Sequence, residues 1–178
     1  MSDMESKEDV LSRNKEIADK FAVISKRLPH LVSVESLFDS VIAGFEVEFG
    51  IPYVWITLLD DVPGSSLFKR LSASIYLSSR LCLVERSVFK ELTGEGNVPI
   101  LVNQGLRPYF RLMPPSRKYL LRSLAVAPIT INGLVVGSIN LGDASSSRYE
   151  QGMDTTLLSE MMHNVSMRLT ELLNDGTA

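Results

Sequence analysis

The sequence predicts a small α+β domain with helices at both ends. Three observations point there. Ser123-Leu-Ala-Val-Ala-Pro128-Ile129 and Leu134-Val-Val-Gly-Ser-Ile-Asn-Leu141 flank Asn132-Gly133. Asn-Gly between apolar runs is a strong hairpin signal, because a type I′ turn needs positive φ at both central residues. An amphipathic helix follows from about Glu150 to Leu173, after a loop from Gly142 to Arg148. Two further helical patterns and a β-rich run occupy the first sixty residues.

The first helix spans about residues 8–28. Val10, Asn14, Ile17, Phe21, Ile24 and Leu28 recur in alternating steps of four and three, a heptad seam. The seam predicts a coiled-coil dimer interface, with Asn14 fixing register; packing on the chain's own core is the alternative. Pro29 disfavours helical geometry just before it and ends the helix. The second helix runs from Val34 to Phe49 with a wide apolar stripe through Val34, Leu37, Phe38, Val41, Ile42, Phe45 and Phe49. A stripe of that width buries against a sheet. Ser33 is its N-cap, Glu35 suits its first turn, and Gly50 and Pro52 stop it.

Tyr53-Val-Trp-Ile-Thr-Leu-Leu59 is apolar on both faces and reads as a central strand covered on both sides. Asp60 to Gly64 turns the chain, and Ser72 to Leu77 reads as a weaker strand. Val84 to Leu92 reads as a short helix ended by Thr93 to Gly96, and Val98 to Val102 as a short strand. Pro108, Pro114 and Pro115 make residues 103–121 irregular. In the last helix Leu157, Leu158, Met161, Val165, Leu169 and Leu172 share a face.

Of the 178 residues, 45% are hydrophobic and 22% charged, the balance of a soluble globular chain. The net charge of −3 argues against nucleic acid or an anionic membrane as partner. No stretch approaches the ~20 apolar residues of a membrane span. The start, Met1 to Asp9, has no apolar signal core. One cysteine, Cys82, excludes an internal disulfide, and a cytoplasmic location is expected. Charge is uneven. No acidic residue lies between Glu95 and Asp143, whereas Arg107, Arg111, Arg117, Lys118 and Arg122 all do.

The succession of elements resembles a GAF domain. Ser123 to Ile129, Gly133 to Gly142, and Arg148-Tyr149 before Gly152-Met153-Asp154-Thr155 carry the likeness. The run Arg148-Tyr149-x-x-Gly152-Met153-x-Thr155, loosely joined by Arg107-Pro108-Tyr109, is similar to a proteobacterial GAF-related family known only as a domain of unknown function. The resemblance implies an antiparallel sheet of five or six strands, terminal helices on one face, and loops enclosing a pocket on the other. It divides the chain into a dimerisation helix (1–29), the GAF-like domain (30–174) and a tail (175–178). It also places the basic segment over the pocket. Arginine offers a fork to carboxylate or phosphate, and an aromatic offers a stacking face. Arg107, Tyr109, Arg111, Arg122 and Trp55 are therefore the candidate residues for a small anionic ligand.

Catalytic signals are weak. Cys82 sits in Leu81-Cys82-Leu83-Val84, the context of a buried thiol. His30 and His163 form no metal spacing, Gly-x-Ser-x-Gly does not occur, and Asp60-Asp61 reads as a solvated turn. The cyclic-nucleotide signature, the bilin-attaching histidine after the cysteine, and the several cysteines of sulfoxide-reducing GAF enzymes are all missing. The expectation is a non-catalytic sensory or regulatory module of signal transduction, a homodimer with no catalytic residue, no metal and no cofactor identified. A cysteine-dependent redox enzyme and a ligand-free partner-binding scaffold are the alternatives.

Overall fold

The computed structural model describes residues 6–117 and 119–176. Residues 1–5 of the acidic start, Lys118 of the basic segment and residues 177–178 of the tail lie outside them. Helices α1 (Lys7–Arg27) and α2 (Val34–Phe49), joined by a 3-10 turn (Leu28–His30), lead into strand β1 (Tyr53–Leu59). Helices α3 (Gly64–Ser72) and α4 (Ile75–Ser78) connect β1 to β2 (Leu81–Val84). Then come α5 (Arg86–Thr93), β3 (Ile100–Val102), a second 3-10 turn (Arg107–Leu112), β4 (Ser123–Ile131), β5 (Leu134–Asp143) and α6 (Thr156–Asp175).

The five strands lie in the order β2-β1-β5-β4-β3. Three neighbouring pairs are antiparallel, but β1 and β2 run parallel, so the sheet is mixed where an all-antiparallel one is expected. The segment that carries α3 and α4 causes the difference. A helical crossover returns the chain to the same end of the sheet, where a hairpin would reverse it. Leu67 and Leu71 on α3 and Leu77 on α4 are buried in the helix-side core. The strand expected over Ser72 to Leu77 is thus the end of one helix and most of the next. The parallel strand is formed by the residues around Cys82.

Helix α2 and strand β1 keep their expected bounds, whereas the helix expected over Val84 to Leu92 is α5, its first residue belonging to β2, and the strand expected from Val98 starts at Ile100. Ser33 caps α2, its hydroxyl accepting from the Ser36 N–H and Ser36 answering at the Ser33 N–H. Gly50 closes α2 in the left-handed conformation (φ 62°). The hairpin turn has Asn132 at φ 50° and Gly133 at φ 79°, as a type I′ turn demands. At the irregularity between Ile129 and Thr130 the Thr130 N–H goes to the Ser166 hydroxyl at 3.0 Å, tying α6 to the hairpin. Helix α6 starts at Thr156, later than expected, because the Asp154 carboxylate accepts from the Thr156 N–H at 2.9 Å. It runs through Asp175, the first residue of the expected tail.

One sheet face carries α1, α2 and α6. The core there joins Leu37, Phe38, Ile42 and Phe45 to Ile56, Ile139, Val165 and Leu169. Ile24 and Leu28 belong to it as well, so the last turns of the heptad seam are part of the domain and offer no surface to a second chain. The other face packs Trp55, Leu59, Leu124 and Val126 beneath Phe89, Leu112 and Leu121.

Candidate functional site

Beneath the 103–122 segment the sheet face is filled by side chains. Trp55 is fully buried, and Tyr119 lies on it with ring centroids 5.1 Å apart. Its indole N–H donates to the Leu112 carbonyl at 2.7 Å. The Thr57 hydroxyl donates to the same carbonyl at 2.8 Å. Asn140 donates its amide to the Thr57 hydroxyl oxygen at 2.8 Å and accepts from the Ser138 hydroxyl at 2.8 Å. Gly142 makes room for this packing, since a Cβ there would stand 2.3 Å from Leu121 Cδ2.

The five candidate ligand residues do not converge. Arg107, Arg111 and Arg122 are exposed. Tyr109 donates its hydroxyl to the Leu92 carbonyl at 3.0 Å and lines a shallow cleft beside the β3 edge. Trp55 is sealed, with its one polar atom satisfied. The packing of Leu112, Leu121 and Tyr119 on Trp55 occupies the place where the resemblance puts a ligand.

Cys82 is buried, and its Sγ stands 3.4 Å from the Arg111 carbonyl. Burial pushes its thiol up to about 11, so it holds its proton at neutral pH. Arg86, a sequence neighbour with the charge to favour thiolate, forks instead onto Asp61 with contacts of 2.5 and 2.9 Å. His30 and His163 are exposed. Among the described residues no group of three or more His, Cys, Asp or Glu side chains could hold a metal ion, and no helix is long and apolar enough to cross a membrane.

A cleft of about 410 Å³ opens on the helix-bearing face, between α1 and the approach to α6. Its walls are Ile17 and Phe21 of α1, Phe45 and Phe49 of α2, Leu101 of β3 and Leu158 of α6. The three phenylalanines form one cluster, with Phe21 4.7 Å from Phe49 and Phe49 6.0 Å from Phe45. The polar lining is Asn14, Arg148, Tyr149, Asp154 and Thr155. The Tyr149 hydroxyl is buried and finds no hydrogen-bond partner among the described residues. Burial pushes it up to about 12, with Arg148 pulling down and Asp143 pushing up. Arg148 donates to the Phe49 carbonyl at 2.5 Å and reaches Asp143 at 3.5 Å.

This cleft joins the middle of the heptad seam, Asn14, Ile17 and Phe21, to Arg148-Tyr149, residues the sequence offers only as marks of a family. Phe45 and Phe49 were legible as apolar stripe. The isolation of the Tyr149 hydroxyl depends on packing between distant elements and leaves no trace in local spacing.

No protein-family model matches this chain, and no curated protein matches its sequence.

Proposed function

We propose that the chain is a non-catalytic regulatory module of GAF-like architecture that pairs with a second copy through the first turns of α1. One observation carries the reading. Residues 7–16, the first turns of α1, are all exposed, and Val10 and Leu11 are 41% and 67% exposed. Helical stability in proteins comes mostly from packing of an apolar side, and these first turns of the 21-residue α1 leave Val10 and Leu11 exposed. The Ser6 cap, whose hydroxyl accepts from the Asp9 N–H at 3.1 Å, stabilises its start but covers neither Val10 nor Leu11. The buried, protonated Cys82 favours regulation over redox chemistry. The filled sheet face under Leu112 favours a scaffold that takes no ligand there, and a signal then enters through the helix layer.

Light scattering of the full chain tests the pairing. A dimer is expected for the wild type and a monomer for Val10→Asp combined with Leu11→Asp. Both positions lie outside the core, so helical circular dichroism elsewhere should persist. A monomeric wild type, or a double variant that still dimerises, overturns the reading.

A further inference from the structure

We propose that the outer surface carrying Arg111, Arg117 and Arg122 docks an acidic segment of another protein, one that also bears apolar side chains. This surface covers the sheet face opposite α1, α2 and α6, so pairing through α1 leaves it open.

The charge comes first. No acidic residue lies between Glu95 and Asp143. Elsewhere the molecule pairs its arginines. Arg27, Arg70, Arg80, Arg86, Arg148 and Arg168 each reach a carboxylate. Arg111, Arg117 and Arg122 are exposed and reach none among the described residues. Arg117 meets only an uncharged partner, donating to the Ser79 hydroxyl at 2.9 Å.

The fold gathers these cations at one end of the sheet. The Arg111 carbonyl stands 3.4 Å from Cys82 Sγ, and Arg117 reaches Ser79, so both meet the start of β2. The Arg122 N–H donates to the Asp143 carbonyl at 2.8 Å, where β5 ends beside the start of β1. Between Arg117 and Arg122 the chain lays Tyr119 on Tyr53, with ring centroids 4.7 Å apart. Two carboxylates border this end, and both are taken, Glu46 by Arg80 and Asp143 by Arg148. The backing is fixed, because the Leu112 carbonyl beside Arg111 accepts from Trp55 and Thr57.

Apolar side chains stand among the charges. Leu120 is 78% exposed and Phe110 45% exposed. Arginine and aromatic residues are the types enriched at protein interfaces, and a guanidinium forks onto a carboxylate. Arginines spread over an outer surface suit an extended partner better than one small anion. The net charge of −3 disfavours a long polyanion such as nucleic acid. An acidic segment with apolar residues matches both parts of the surface.

Fluorescence anisotropy of the full chain tests this, with dye-labelled peptides of Glu-Glu-Leu repeats and of Gln-Gln-Leu repeats and with a single-stranded oligothymidylate. The acidic peptide should bind saturably, more weakly as salt rises, and more tightly than the other two probes. Arg111→Gln combined with Arg117→Gln and Arg122→Gln should weaken it by about tenfold, the scale of three exposed ion pairs. All three positions are exposed, and an unchanged circular dichroism spectrum checks the fold. Lys7→Gln combined with Lys15→Gln and Lys26→Gln removes the same charge from exposed positions on α1 and should leave the affinity within about twofold. No saturable binding of the acidic peptide, equal binding of the neutral peptide, or equal losses in the two triple variants overturns the proposal. Oligothymidylate bound as tightly as the acidic peptide assigns the surface to polyanions in general and also overturns it.

Discussion

The Leu112 carbonyl decides the role of Trp55. It is one acceptor with two lone pairs, and Trp55 and Thr57 take both from within the sheet face. Thr57 in turn satisfies Asn140, and Asn140 satisfies the Ser138 hydroxyl, each side chain being fully buried. A buried polar chain of this kind is favourable only while every member is paired. Trp55 therefore fastens the 3-10 turn to the sheet and presents no face to a ligand, and exposed Arg107 and Arg111 stand on the outside of that fastened turn. Thr57→Val keeps the shape and deletes the hydroxyl, leaving the Asn140 amide unpaired. The expected loss is about 1–3 kcal/mol in urea unfolding, with the slope of the transition unchanged. Thr57→Ser should recover most of it. An unaffected Thr57→Val would mean that the chain of bonds contributes nothing.

At the scale of elements, the crossing of α1 over α2 depends on Gly44. A Cβ there would stand 2.7 Å from Ile24 Cγ1, and Ile24 is fully buried. Gly44→Ala gains about 1 kcal/mol of helix propensity but overpacks the contact at a cost of about 1–3 kcal/mol. A lower melting temperature is expected, and combining it with Ile24→Ala should destabilise less than the sum of the two changes. Additive losses would show that the helices do not meet there. Gly44 also illustrates how much could be read from sequence. Helix α2 was legible between Ser33 and Gly50 because its punctuation is local, and the hairpin was legible from Asn132-Gly133. Helices α3 and α4 were not, being short and stabilised by Leu67, Leu71 and Leu77 meeting a core built elsewhere. Strand β2 is a four-residue apolar run, too short to show a period, and its parallel pairing with β1 is a tertiary fact. The heptad seam had the same ambiguity. Its spacing is equally good for a second chain or for the chain's own sheet, and the molecule uses Ile24 and Leu28 for the latter. The cleft stayed hidden because it is assembled from five separate segments, and only its apolar walls have a periodic signature.

Across the whole molecule, carboxylates set beside arginines contribute to the response to acid. Arg70 forks onto Glu35 at 2.7 and 3.2 Å and holds that carboxyl below the usual range, and Arg86 does the same for Asp61. Asp39, one turn along α2 from Glu35, goes the other way. Burial raises it first and the Glu35 charge adds to that, while Arg80 pulls it down, and its Oδ1 finds no partner among the described residues. Arg80 is itself held by Glu46 at 2.5 Å and by the Val54 carbonyl at 3.0 Å. The signs follow from linkage. Glu35 and Asp61 contribute stability that is present above the unfolded carboxylate range and is lost as pH falls through their lowered folded values. Folded Asp39 keeps its proton to higher pH than the unfolded chain does. Its contribution is present below the unfolded carboxylate range and is lost as pH rises through its raised folded value. At neutral pH the ionised Asp39 is thus a cost that Asn would not carry. Asp39→Asn should raise the melting temperature at pH 7, and the gain should vanish by about pH 3, where both the aspartate and its replacement are neutral. Melting curves across that interval check the sign. A variant that is less stable at pH 7, or equally displaced at both ends, would show that Arg80 compensates the buried carboxylate and that the acidic row on α2 is a favourable network with Asp39 as a working member.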